Sequence, residues 1–217
     1  MVSAAGFFVA FSAYRKDSTY IGNRLLIISM ILIGLYGIFV IIEQSSFNLT
    51  LLNLFGRLEY VCIVFSLTLL VMTMNVLIYS SNWLEGNWKI WMIFVMNIIF
   101  SVILFVWPPA FQFIFTDSYD IFLHIGVMIY FAGFVCICLL YCIFVTYGYG
   151  AKHSEGQQKK KMVLASIGFG FGILSLVIET VNTFLPEGDL LDFIFFLFFA
   201  ISMYLIGMGF SQSKKAN

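Results

Sequence analysis

The sequence predicts an all-α polytopic membrane protein. It forms one domain over residues 1–217 with seven transmembrane helices, the first one short, N-terminus out and C-terminus in. Three observations predict this. Of the 217 residues, 62% are hydrophobic and 10% charged, and the mean hydropathy is +1.01, against roughly 45–50% apolar and 25% charged in a soluble domain. The apolar residues gather into long runs separated by short polar stretches. Finally, when successive loops are assigned to alternating sides, ten of the 11 basic residues fall on one side: Arg15, Lys16, Arg24, Lys89, Lys152, Lys159, Lys160, Lys161, Lys214 and Lys215. Arg57 stands alone on the other side, with eight of the 11 acidic residues: Glu43, Glu59, Asp117, Asp120, Glu179, Glu187, Asp189 and Asp192. Short basic loops stay in the cytoplasm, which sets the orientation. The expected partner is therefore the lipid bilayer, with no nucleic acid, and the expected location is the cell membrane, multi-pass.

The spans follow in order. Residues 2–14 form a 13-residue apolar run, about 20 Å as a helix against a hydrocarbon core of roughly 30 Å. Either its beginning is missing or the first helix is short. The second span, 25–42, closes at Glu43, which shares a helix face with Tyr36. A mixed stretch, 44–54, reads as loop and contains the glycosylation-type triplet Asn48-Leu49-Thr50. Arg57-Leu58-Glu59-Tyr60 leads into the third span, 60–79, where Glu59, Cys62, Ser66 and Thr73 form a polar seam. The fourth, 90–107, carries Asn97 and Ser101 on one face, suited to interhelical hydrogen bonds. It stops at Pro108-Pro109, because proline lacks the N–H and clashes with the preceding turn. The fifth, 121–147, is long enough to tilt or protrude; His124 lies near its start, and Gly126 and Gly133 share a face expected to pack. The seventh, 193–210, is crowded with phenylalanine. Cys62, Cys136, Cys138 and Cys142 all lie inside apolar runs and read as packing residues rather than a disulfide framework.

The sixth stretch, 159–183, organises the rest. After Lys159-Lys160-Lys161 come 17 uncharged residues and then Glu179. At about 100° per residue, Ala165, Gly168, Gly172, Ser175, Glu179 and Thr183 share one face. Gly168-x-x-x-Gly172 is the spacing that lets membrane helices approach closely, so Glu179 is expected on the packing face and away from lipid.

No enzyme signature is present. The chain has no phosphate-binding glycine loop, no paired histidines at i, i+4, and only two histidines, His124 and His153. No enzymatic activity and no cofactor are expected. What remains is a layer of ionisable groups at similar expected depth: Glu43, Arg57, Glu59, His124 and Glu179. Ionisable groups at that depth are costly unless paired, hydrated or facing a cavity. The layer reads either as a network around Arg57 that ties helices together or as an outward-facing ligand site.

Several local features carry a family resemblance. They are the basic loop before the second span, Glu43 closing it, Arg57-Leu58-Glu59-Tyr60, the lead-in Gln157-Gln158-Lys159-Lys160-Lys161, and the short acidic turn before the seventh span. In these the chain resembles the N-terminal seven-helix sensor region of membrane histidine kinases. The tail after Phe210 holds no phospho-acceptor helix and no ATP-binding domain. The resemblance therefore implies a stand-alone sensing or signal-relay module whose output partner is a separate cytoplasmic or membrane protein. Two alternatives remain open. One is a small transporter of the SWEET type, echoed by Gly34 nine residues before Glu43 and Gly170 nine before Glu179. The other is a non-catalytic assembly subunit of a membrane complex.

Overall fold

A computed structural model describes residues 1–45, 48–79, 87–115, 119–182 and 189–210. Each of the seven expected segments forms a helix: α1 (Val2–Asp17), α2 (Ile21–Ser45), α3 (Leu49–Tyr79), α4 (Trp88–Val106), α5 (Ile125–Ile143), α6 (Gly156–Asn182) and α7 (Asp189–Phe210). Beyond Ile143, α5 continues as a π-helical stretch, Phe144–Ala151. Among the described residues, α2 to α7 are long and apolar enough to cross a membrane. With its 16 residues, α1 is about 24 Å long and is not one of these six. Asn82, Trp83, Glu85, Asp117, Thr183, the turn at 186–188 and the tail from Ser211 lie outside the described residues.

Three boundaries depart from the sequence expectation. The stretch 44–54 is mostly helix, because α2 runs to Ser45 and α3 starts at Leu49. Asn48 caps α3 by accepting a hydrogen bond from Thr50 N at 2.9 Å, satisfying a backbone donor that the helix leaves open. The fifth span begins later than expected. Its first residues, Ile121 to Leu123, belong to strand β2 (Tyr119–Leu123), antiparallel to β1 (Phe111–Phe115) with Phe111 opposite Leu123. Segments rich in Phe, Tyr and Ile suit a strand as well as a membrane helix, and hydropathy alone does not separate them. Pro108–Ala110 form a 3-10 turn where the chain leaves α4, as the paired prolines require.

Small residues draw the helices together. A Cβ on Gly6 of α1 would lie 2.7 Å from Met30 O and 2.8 Å from Gly34 N of α2, so these backbones touch. The connection is secured by Asn23 Nδ2 donating to Asp17 O at 2.8 Å. Between α6 and α7, a Cβ on Gly168 would meet Ile206 N at 2.9 Å and Ser202 O at 3.0 Å, and one on Gly209 would meet Lys161 O at 2.7 Å. This antiparallel seam is the close approach that Gly168-x-x-x-Gly172 predicts. The expected packing role of Gly126 and Gly133 fails. A Cβ on Gly133 would meet nothing within 4 Å, and one on Gly126 only the ring of His124.

Buried hydroxyl and amide groups join the remaining helices. Ser29 Oγ of α2 donates to Ser66 O of α3 at 3.0 Å. Asn97 of α4 donates from Nδ2 to Thr68 Oγ1 of α3 at 2.6 Å and accepts at Oδ1 from the Tyr130 hydroxyl of α5 at 3.0 Å. Ser101, on the same face, donates only to Asn97 O within its own helix. Large side chains of α4 such as Trp91, Val95, Met96 and Val102 are exposed, so Asn97 is the main polar tie that seats α4. Asn97→Leu should therefore destabilise the chain in detergent by about 0.6–1.7 kcal/mol, the range for interhelical hydrogen bonds in a membrane protein. Ser101→Ala should leave the melting temperature unchanged.

Candidate functional site

A cavity of about 190 Å³ lies between α2, α3, α5, α6 and α7. Each helix turns one periodic face toward it. On α2, Ile33, Tyr36 and Glu43 line it; on α3, Gly56, Glu59, Tyr60, Ile63 and Leu67 do. On α6, Gly172, Ser175 and Glu179 line it, three and four residues apart as one helical face demands. Gly172 holds α7 close, since a Cβ there would lie 3.1 Å from Ser202 Oγ. The glycine face thus aims Glu179 toward α7 and the cavity, as its spacing predicts.

The cavity is polarised along its length. Ile33, Leu67, Leu139 and Met203 line one part. Aromatic rings line the middle: Tyr36 meets Phe199 edge-on at 5.8 Å and 87°, and Tyr60 meets Phe131 at 4.7 Å and 73°. Glu43, Glu59 and Glu179 line the far end, set by the C-terminal parts of α2 and α6 and the N-terminal part of α3. Glu43 and Glu59 share a side-chain hydrogen bond across the α2–α3 interface, and Glu59 Oε1 is buried with no hydrogen-bond partner among the described residues. Glu179 is exposed and close enough to Asp192 of α7 for the two charges to interact. Among the described residues no Lys, Arg or His lines the cavity. No three of His, Cys, Asp and Glu among them are placed to share one metal ion.

Two of the five residues expected in the ionisable layer lie elsewhere. Arg57 donates from Nη2 to Phe111 O at 3.0 Å and from Nη1 to Phe105 O at 3.4 Å, joining the end of α4 to the start of β1. It does not neutralise the glutamates. Two residues from Glu59 is about 200° around a helix, so Arg57 leaves α3 on the opposite side. His124 caps α5, accepting from Gly126 N at its Nδ1 at 3.2 Å, with its ring 4.7 Å from that of Trp107. The expected layer thus divides into an acidic cavity and a separate Arg57–Trp107–His124 corner. Sequence reasoning missed the parts played by Tyr60, Phe131 and Asp192. The Tyr36–Glu43 spacing was a legible signal, but no local pattern announces that α5 supplies a wall.

Fold and site together define a class: a polytopic helical membrane domain with an internal cavity whose ionisable groups are all acidic among the described residues. More particularly, residues 1–212 match the profile of the N-terminal 7TM region of histidine kinase, and the chain belongs to that family. The resemblance carried by Glu43, the Arg57-Leu58-Glu59-Tyr60 run and the triple lysine therefore extends over nearly the whole chain. A search of curated proteins and one of solved structures each found no match.

Proposed function

We propose that the chain is a membrane sensor module that receives an external signal in the cavity ended by Glu43, Glu59 and Glu179. It relays that signal along α6 and α7 to an output protein or domain at the basic end. One observation carries the reading: α6 and α7 form the cavity at one end and the tight glycine seam at the other. A change in what fills the cavity therefore acts on the same pair of helices that reaches the basic end.

The orientation follows from charge. Lys16, at the end of α1, is near enough to Lys161 for their charges to interact, and Gly209 of α7 lies against Lys161 O. These basic helix ends gather opposite the three glutamates, so the positive-inside rule places the glutamates outside. The rule also makes α1 a seventh, short span, accommodated by local bilayer thinning and by its glycine contacts with α2. Relay through such a bundle needs no enzymatic step and no cofactor.

Ile63→Trp tests the relay by filling the cavity from α3. Amide hydrogen exchange should slow around the cavity and also change at the basic end, in residues 156–166 of α6 and 203–210 of α7. A change confined to the cavity would overturn the relay.

A further inference from the structure

We propose that this cavity binds an amphiphilic organic cation: a protonated amine carried one or two carbons from a ring-sized apolar body. The proposal rests on reading the cavity as the receiving site and names its occupant.

Size sets the first limit. A cavity of about 150 Å³ lined by apolar side chains holds one benzene. The 190 Å³ present here therefore takes a ring plus a short arm.

Polarity sets the second. Ile33, Leu67 and Leu139 offer nothing to a charged or hydrogen-bonding group, whereas the other end presents three carboxyl groups and no cation among the described residues. A ligand that satisfies both ends must itself be apolar at one end and positive at the other. Between them stand the rings of Tyr36 and Tyr60, whose faces attract a cation through the ring quadrupole.

Hydrogen-bond capacity sets the third. Glu59 Oε1 is a buried acceptor without a donor among the described residues, and an unmet buried acceptor is costly. An alkylammonium group brings three donors and no acceptor, so it can supply the donor that Glu59 Oε1 lacks.

The competing occupants fit less well. A single metal ion would need ligands that converge, and these carboxyl groups do not. A small inorganic cation would leave the apolar part of the cavity unfilled. An anion finds no cation among the described residues, and a neutral ring of the same size leaves Glu59 Oε1 without a donor.

The probe is 2-phenylethylamine at pH 7, added to the full chain in nanodiscs of zwitterionic lipid, with empty nanodiscs as the blank for partitioning. Calorimetry and the melting temperature are read against three controls: ethylamine (charge without ring), 2-phenylethanol (ring without charge) and 3-phenylpropionate (ring with opposite charge). The amine should bind and raise the melting temperature. Ethylamine and 2-phenylethanol should bind at least about tenfold more weakly, and 3-phenylpropionate not at all. Glu59→Gln should weaken the amine by about tenfold or more, while Glu155→Gln, remote from the cavity, leaves it unchanged. If Glu59→Gln does not fold, Glu179→Gln at the exposed end gives the same reading.

Equal binding of ethylamine overturns the proposal in favour of a simple cation site, and equal binding of 2-phenylethanol in favour of an apolar one. Absence of amine binding, with Ile63→Trp still altering the basic end, overturns the ligand class and leaves the sensor reading standing. Amine binding with no long-range response to Ile63→Trp upholds the site and removes the relay.

Discussion

Valine in place of Gly168 is expected to destabilise the chain by about 2–3 kcal/mol, whereas valine at Gly170, two residues on, should change stability by no more than about 0.5 kcal/mol. The contrast lies in what each new side chain would meet. At Gly168 even the Cβ would lie 2.9 Å from Ile206 N and 3.0 Å from Ser202 O, both backbone atoms of α7. A side chain cannot turn aside from backbone, so the two helices must part along the seam. At Gly170 the Cβ would meet nothing within 4 Å, and valine costs a helix no more than glycine does. Thermal unfolding of both variants in the same detergent checks the pair. Equal losses would mean that helix propensity, not close approach, decides the outcome.

Removing the Arg57 side chain is expected to cost about 2–3 kcal/mol, within the range for hydrogen bonds to a charged group. Its guanidinium spans Phe105 O and Phe111 O, carbonyls on either side of the Pro108–Ala110 turn. In Arg57→Ala both acceptors lose this donor. Amide exchange should quicken locally at 105–111 and remain unchanged in α6. Arg57→Lys should restore only part of the loss, because one ammonium cannot reproduce the planar fork that reaches two carbonyls. Affinity for 2-phenylethylamine should be unaffected, since Arg57 does not line the cavity. Weakened binding would instead tie this corner to the site.

The parts of this molecule that a sequence exposes are those in which one helix carries the whole pattern. The Gly168, Gly172 and Glu179 face follows from spacing alone, and so do the Tyr36–Glu43 face and the end of α4 at Pro108. Asn97 was legible as an interhelical donor, because an amide inside an apolar run needs a partner. Other features depend on a distant segment. The carbonyls held by Arg57 belong to residues 48 and 54 positions away, and no local pattern names them. Gly133 looks like a packing glycine by its spacing from Gly126, yet a Cβ there would meet nothing within 4 Å among the described residues. Gly34 and Gly170 echo each other in sequence, but only Gly34 is pressed by a neighbour, the ring of Phe7. The end of β2, residues 121–123, shares the apolar composition of a membrane helix, so hydropathy extended the fifth span over it.

The seam between α6 and α7 has a kinematic meaning. At Gly168, Gly172 and Gly209 the two helices approach closely against Ile206, Ser202 and Ala165, and the ring pairs Phe169–Phe210 and Phe171–Phe198 interlock beside them. Such a joint resists both separation and slippage, so the two helices shift as one packed unit. An α-helix is stiff along its length, so a stroke of 1–2 Å, the usual scale of helix shifts, applied at Phe195 would arrive undiminished at Phe210, about 22 Å away. The close seam would thus carry a local push along the pair as the movement of two joined rods, its direction set by whatever loads their acidic end.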